Sequence, residues 1–210
     1  MPEVLVPAQR FVRWVENFTQ RHGPTALSGG GGLHGLHGLA EDGSTFLASL
    51  PFGREYDGPG EPEAFVGAST PPDTWGVLLV RKGGFAVARL TGSEVVDSKV
   101  GQRHVQGRTK AGGQSQQRFA RRRDNQARVA YEAAADHAAR ILGAVRVVVT
   151  GGDHVAVQAV LEDARLGHLL VVPPWLAVPD PRRRVLDQAV LDASSVRVEV
   201  LNAGRGASPG

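Results

Sequence analysis

The chain has 210 residues, 41% of them hydrophobic, which is enough for one well-buried core with a small annex. The formal net charge is only +3, but the arginines are clustered, which indicates a local surface for polyanions. Cysteine is absent, so disulfides and thiolate metal sites are excluded. We find neither a signal peptide nor a run of the roughly 20 apolar residues that a membrane span needs, and we expect a cytoplasmic protein without membrane contact.

The first third of the chain gives few regular signals. Residues 8–22 place apolar side chains at helical spacing, and Gly23-Pro24 ends the predicted helix. The stretch SGGGGLHGLHGLAEDGS indicates either a mobile loop or ordered Gly-x-x-Gly turns. Residues 50–73 are rich in proline and glycine and indicate an irregular connection. We therefore predict that 1–73 form a helix with a Gly/Pro-rich extension.

The remaining chain carries a clearer pattern. Three successive strands are predicted over TWGVLLVR, FAVARLTG and SEVVDSKVG, with Lys82-Gly83-Gly84 as the first turn. One long helix from about Ser115 to Leu142 follows, with a continuous apolar stripe. Strands and helices then alternate to the strand VRVEVLN. This order predicts an α+β fold, a mixed β-sheet with packed helices, over 74–202, followed by a disordered tail over 203–210.

The stretch KAGGQSQQRFARRRDNQ places two glycines and a glutamine directly before the arginine-rich start of the long helix. It resembles the glycine-glycine-glutamine (GGQ) loop and following helix in the middle domain of eukaryotic and archaeal class-I peptide-chain release factors. In those proteins GGQS is followed two residues later by Arg-Phe-Ala-Arg, which residues 118–121 supply here. The resemblance covers roughly 74–202 as a pattern of elements and is specific over 108–124. It implies a release-factor middle-domain-like fold.

Two departures from full-length release factors narrow the resemblance. The chain has no stop-codon-reading domain with an Asn-Ile-Lys-Ser motif, and the remaining length cannot hold the partner-binding C-terminal domain. It is most similar to the stand-alone bacterial Vms-like release factors, which are peptidyl-tRNA hydrolases linked to rescue of stalled ribosomes. The resemblance therefore implies a codon-independent hydrolase in ribosome-associated quality control, with the GGQ loop at the peptidyl-transferase centre.

The chemistry of the loop residues fits such a reaction. Gly112 and Gly113 permit backbone angles closed to other residues and let the loop enter a narrow cavity. Gln114 offers a backbone N–H to the oxyanion or the leaving 3′ oxygen, and its side-chain amide can orient water. We therefore assign Gly112, Gly113 and Gln114 as catalytic, and the reaction requires no metal or cofactor. The alternative is a flexible glycine-rich turn without a catalytic role.

Basic residues on both sides of the loop are the candidate RNA contacts. Guanidinium groups grip phosphate oxygens well because their planar fork matches the phosphate geometry. An ordinary solvated helix face is the alternative, but clustering around the GGQ favours RNA. The predicted partners are the large ribosomal subunit, its rRNA and peptidyl-tRNA, and we expect a monomer. The RNA-binding set is Arg103, His104, Arg108, Lys110, Arg118, Arg121, Arg122 and Arg123.

Other interpretations stay open at the level of sequence. The chain can be a noncatalytic ribosome- or RNA-binding module, or an enzyme that cleaves the tRNA 3′ end instead of the ester. His34 and His37 have metal-ligand spacing but lack an evident third ligand. Residues 182–184, all arginine, are a second phosphate contact or a solvated face. Three aromatic residues are assigned to the core or to docking: Trp14, Phe18 and Trp175.

Overall fold

The computed structural model describes residues 3–30, 32, 34–102 and 115–203, and for residues 102 and 115–127 it describes the backbone alone. Two short 3-10 helices, Pro51–Gly53 and Ala164–Leu166, lie between the longer elements. The strands and helices in chain order are β1 Glu3–Val6, α1 Ala8–His22, β2 Thr25–Gly29, β3 Leu36–Ala40, β4 Thr45–Ser49, α2 Pro62–Ala68, β5 Thr74–Arg81, β6 Gly84–Thr91, β7 Glu94–Gln102, α3 Ser115–Leu142, β8 Val147–Gly152, α4 His154–Leu161, β9 Leu170–Leu176, α5 Arg183–Ala193 and β10 Val196–Leu201.

The chain divides into two compact units. The first unit is formed by Met1–Pro71 and Leu191–Gly210, and the second by Pro72–Val190, so the second is inserted in the sequence of the first. The sequence pattern predicts the last strand in the same domain as the long helix. In the structure, β10 pairs with β1 and β4 of the first unit. A strand's alternating pattern fixes which face is buried but not which sheet it joins, and this assignment therefore depends on the three-dimensional structure.

The first unit contains a five-stranded antiparallel sheet in the order β1-β10-β4-β3-β2. Helix α1, predicted over residues 8–22, is confirmed with the same bounds, and it ends because Gly23 adopts φ of 90°. Its buried residues Phe11, Val15 and Phe18 pack in a core with side chains of the sheet. Of the glycine-rich stretch, Ser28 and Gly29 belong to β2 and Leu36–Ala40 forms β3, and the region 50–73 contains α2.

The second unit contains a mixed five-stranded sheet in the order β7-β6-β5-β8-β9. Strands β5, β6 and β7 form an antiparallel meander, and β8 pairs in parallel with both β5 and β9. Helices α3 and α4 contribute buried residues to one core with this sheet. The predicted mixed sheet with packed helices is confirmed, and α3 spans Ser115–Leu142 as expected.

Candidate functional site

The residues predicted to perform chemistry lie in the segment that joins β7 to α3. Residues 103–114 are outside the described part of the chain, and they include Gly112, Gly113 and Gln114. The same holds for Arg103, His104, Arg108 and Lys110. The other four predicted RNA contacts lie on the helical backbone of α3, and their side chains are outside the description: Arg118, Arg121, Arg122 and Arg123. The assigned roles of all these residues stay predictions, and the structure defines how β7 and the C-terminal part of α3 are held.

The candidate loop begins at one edge of the second sheet. Gln102, the last residue of β7, pairs with Gly84, the first residue of β6. Strand β5 ends beside the same point, because Arg81 also pairs with Gly84. Since β5, β8 and β9 are parallel, their C-terminal ends lie at this edge too. We call it the carboxyl edge, and in parallel sheets this edge is where ligands usually bind.

A phenylalanine connects the end of β7 to α3. Phe85 of β6 lies opposite Gly101 of β7, and its ring occupies the space that a side chain at position 101 would need. The Phe85 ring also stacks on His137 of α3, with centroids 5.4 Å apart and planes inclined by 27°. Gly101 therefore allows one aromatic ring to fix the strand and the helix on either side of the candidate loop.

The C-terminal half of α3 is fixed by burial. Ala134, Ala138 and Ile141 of the predicted stripe are buried, whereas Tyr131 is partly buried. The ring of Tyr131 loses hydration there, and burial raises the pKa of its hydroxyl. Small alanine side chains let the helix axis approach the sheet closely, and the long side chain of Ile141 fills the remaining space.

Ion pairs add a second set of contacts to the same half of α3. Arg140 reaches Asp97 of β7 at 3.0 Å, which ties the helix to the strand that precedes the loop. Arg165 contacts Asp136 of α3 at 2.7 Å and Asp163 at 2.7 Å. Hydrogen bonding to Arg165 lowers the pKa of Asp163 to about 2. The helix is thus held by Asp97 of the preceding strand and by Arg165 of the 3-10 helix that follows α4.

The middle of α3 is more exposed than its C-terminal part. Arg128 and Val129 are exposed, and Arg128 pairs with Glu132 one turn along the helix at 2.8 Å. At a rise of 1.5 Å per residue, Ser115 lies about 24 Å along the helix from Tyr131. The helix therefore places the C-terminal end of the candidate loop well away from the buried alanines.

The aromatic candidates and His34 make contacts within the described parts of the two units. Trp14 and Phe18 pack in the first unit's core. Trp175 packs against the second core, and its ring stacks on His154 with centroids 3.6 Å apart. His34 Nδ1 lies 3.3 Å from Glu55 Oε2. Within the described ranges, no three His, Asp or Glu side chains are grouped as metal ligands, and no helix is long and apolar enough to cross a membrane.

A family comparison covers this whole region. The model of the Actinobacteria/chloroflexi VLRF1 release factor matches residues 73–199. This chain belongs to that release-factor family. The resemblance predicted from GGQSQQRFARRR is confirmed, and the VLRF1 match includes the candidate loop, α3 and the strands on both sides. No curated protein matches the chain.

Solved structures provide a further comparison for this VLRF1 member. It is similar to an archaeal translation termination factor aRF1, with 16% identity, 89% of this chain and 53% of that chain covered, and a TM-score of 0.40. It is also similar to an archaeal protein, with 15% identity, coverage of 74% and 49%, and a TM-score of 0.38. The third is a Vms1 mitochondrial localization core, with 12% identity, coverage of 90% and 81%, and a TM-score of 0.40. The chain spans about half the length of the two archaeal proteins.

The sequence motif predicts the loop but not the contacts that hold it. The ring stack between Phe85 and His137 and the Arg140–Asp97 pair join residues that are far apart in sequence. One local signal was present, because Gly101 interrupts a predicted strand, and glycine within a strand often marks a close approach.

Proposed function

We propose that this chain is a codon-independent peptidyl-tRNA hydrolase that releases nascent chains from stalled ribosomes or large subunits in ribosome-associated quality control. The observation that carries the proposal is the position of Gly112, Gly113 and Gln114. They fall inside the range matched by the release-factor family and directly precede the first residue of α3. The motif thus lies within the family match and directly before the long helix.

The described part of α3 supports the reach that such an enzyme needs. Its last third is packed on the sheet, and its first residue lies about 24 Å from Tyr131. A loop at that end can enter a narrow RNA cavity while the sheet stays outside it. The proposed site is completed by ribosomal RNA and tRNA, so the protein supplies positioning and hydrogen bonds.

In the proposed reaction, water attacks the carbonyl carbon of the ester between the nascent chain and the terminal ribose. The Gln114 backbone N–H donates to the developing oxyanion or to the leaving 3′ oxygen, and the side-chain amide confines the water. The bond between the carbonyl carbon and the ribose 3′ oxygen breaks, and the 3′ oxygen gains a proton as the attacking water loses one. Gly112 and Gly113 remove side-chain bulk next to the substrate.

The basic residues on either side of the loop have a binding role in this proposal. Arg103, His104, Arg108 and Lys110 precede the loop, and Arg118 and residues 121–123 follow it. Together they would neutralise phosphates of the large subunit's rRNA and of peptidyl-tRNA, since guanidinium and ammonium groups pair with phosphate oxygens. In this proposal the protein acts in the cytoplasm as a monomer and needs no cofactor.

Peptide release from large subunits that carry peptidyl-tRNA tests the proposal. Gln114→Ala is expected to lower the release rate by at least about 100-fold, because it removes the side-chain amide that confines the attacking water while it keeps the backbone N–H donor. The matched control is Gln158→Ala, which makes the same change at an exposed position of α4 and should release peptide like the wild type. Both variants should unfold at the wild-type temperature.

The product separates the competing reactions. An intact tRNA 3′ end after release supports ester hydrolysis, whereas a shortened 3′ end would mean that the enzyme cleaves tRNA. Normal release by a folded Gln114→Ala protein would remove the catalytic role of Gln114. No release by the wild type, with binding intact, would leave the noncatalytic binding module as the function.

A further inference from the structure

Three exposed cations outside the loop region lie in the β5–β6 turn at the carboxyl edge and around the start of α5: Lys82, Arg182 and Arg184. Within the part of the chain that the structure describes, none of them has an ion-pair partner. The cations beside them are paired: Arg81 lies 3.7 Å from Asp180, and Arg183 lies 2.9 Å from Asp187. We call Lys82, Arg182 and Arg184 the carboxyl-edge patch.

Contacts at the β5–β6 turn bring the two parts of this patch together. The Arg81 guanidinium donates to the carbonyl of Val178 at 2.7 Å and approaches Asp180. Asp180 also lies against Gly83, where a side-chain Cβ would be 3.2 Å from its Oδ2. Residues 178–180 are therefore held against the turn that contains Lys82, and Arg182 follows two residues later.

The patch also lies next to the start of the candidate loop. Gly84, two residues after Lys82, pairs with Gln102, the last described residue before the loop. On the other side, Arg183 donates to the Ser98 hydroxyl of β7 at 3.3 Å, so the start of α5 contacts the same strand. Lys82 thus lies next to the point where the loop begins, and the start of α5 contacts β7 four residues earlier, at Ser98.

Fold stability does not explain this placement of charge. The first turn of α5 contains no acidic residue, and cations there oppose the positive end of the helix dipole. Three adjacent arginines, 182–184, also repel each other, and within the described ranges only Arg183 has a carboxylate beside it. Exposed cations kept at an unfavourable position are best neutralised by an external anion.

We propose that the carboxyl-edge patch binds the phosphodiester backbone of RNA next to the candidate loop. The inference rests on the proposed function, because it takes RNA to be the polyanion at this edge. A flexible lysine and two arginines neutralise phosphates without selecting a base sequence. The patch therefore positions the protein on RNA and takes no part in the chemistry.

The test compares binding over a series of monovalent salt concentrations. The patch variant carries Lys82→Gln, Arg182→Gln and Arg184→Gln, and glutamine maintains helix propensity. Two probes distinguish the source of the phosphates, full-length deacylated tRNA and vacant large subunits. Each phosphate that is no longer neutralised should flatten the slope of log affinity against log salt by about 0.7–0.9, which corresponds to roughly fivefold weaker binding at about 0.1 M salt.

A control variant matches the loss of charge. Arg10→Gln, Arg13→Gln and Arg21→Gln remove three exposed cations from α1 of the first unit, and this variant should bind both probes like the wild type. Arg184→Gln alone should give about a third of the flattening, which keeps the test valid should the triple variant fold poorly. Weaker binding to tRNA assigns the patch to tRNA, and weaker binding to vacant subunits assigns it to rRNA.

Two results would overturn the patch proposal. One is a patch variant whose lines coincide with the wild type for both probes. The other is equally weakened binding in the α1 control, which would show a general effect of net charge. Peptide release by the wild type is measured separately, so that failure of the patch proposal can be distinguished from failure of the proposed hydrolase function. If the wild type releases peptide but the patch variant binds normally, the hydrolase proposal is supported and the patch proposal is wrong. If the patch variant binds RNA more weakly but the wild type releases no peptide, the patch proposal is supported and the hydrolase proposal is wrong.

Discussion

The two units each contain five strands in one sheet, but they assemble them in different ways. In the second unit, β5, β6 and β7 pair with their neighbours in sequence, and β8 joins after the single crossover helix α3. In the first unit, the interior strand β10 comes from residues 196–201 and pairs with β4 at residues 45–49. A sheet built from nearby segments is therefore visible in a sequence pattern, whereas one closed across a long separation is not.

The two cores also differ in the side chains that fill them. The first core contains aromatic rings in contact, such as Phe11 with Phe65 at 5.1 Å and Phe18 with Phe46 at 5.0 Å. The second core consists mainly of valine and leucine on the strands and alanine on α3. The alanines of the C-terminal part of α3 are buried in this core with the strands of the sheet.

The largest expected effect comes from breaking the strand that closes the first sheet. Val198 of β10 is fully buried, and Val198→Asp places a carboxylate in an apolar core without a partner. We expect a decrease of more than about 4 kcal/mol in the free energy of unfolding of the first unit. Hydrogen exchange should show β1 to β4 unprotected while β5 to β8 stay protected. Equal loss of protection in both sheets would show that the units fold as one.

Removing one large side chain from each core should give smaller and separable effects. Phe11→Ala should destabilise the first unit by about 3–5 kcal/mol, and Ile141→Ala the second by about 2–5 kcal/mol. Each variant is the control of the other. Denaturant unfolding followed by hydrogen exchange should show each substitution acting on its own unit. An effect of Phe11→Ala on the protection of α3 would contradict independent cores.

A third pair of variants tests a feature of both sheets, a glycine covered by the ring of a cross-strand phenylalanine. Gly38 lies opposite Phe46 in the first sheet, and Gly101 lies opposite Phe85 in the second, and each phenylalanine ring covers its glycine. Alanine at either position must displace the ring, which should cost about 1–3 kcal/mol. Only Gly101→Ala should also lower peptide release, because Phe85 connects β7 to α3 next to the loop.

The measurement for this pair is thermal unfolding together with release from large subunits. Gly38→Ala serves as the matched control, since it disturbs a covered glycine of the other unit. A Gly101→Ala protein that is destabilised but releases peptide at the wild-type rate would show that the ring contact has a structural role only.

The smallest expected effect compares two glycines in open space. Gly67 lies in α2 with no atom near its would-be side chain, and Gly67→Ala should stabilise the first unit by about 0.5–1 kcal/mol. Gly92 is equally open but has φ of 55°, so Gly92→Ala should destabilise the second unit by about 1–2 kcal/mol. Chemical denaturation measures both, and the same sign for the two variants would exclude backbone conformation as the cause.

Much of the second unit could be predicted from the sequence, because β5 and β6 are largely apolar runs and the turns that join β5, β6 and β7 carry glycine. The bounds predicted for β5 and α3 agree with the structure. Strands β1 to β4 were not predicted. The glycines of β2 and β3 are typical of loops, although Gly38 of β3 lies where the Phe46 ring fills the space above it.

The candidate site shows the same limit. A short motif before Ser115 was enough to predict the loop and the family, since the spacing of GGQ and the following arginines is local. The contacts that join β7 to the C-terminal part of α3 were not predictable, because His137 and Phe85, or Arg140 and Asp97, meet only after the sheet has formed.

The insertion of one unit within the other has a consequence for the order of events during translation. Strand β10 lies between β1 and β4, and it is synthesised after all of Pro72–Val190. A chain made from its N-terminus therefore completes the second sheet while the first still lacks an interior strand. Until residue 201 has emerged, the edges of β1 and β4 that β10 will join are unpaired, so the nascent chain carries the second unit folded before the segments that flank it.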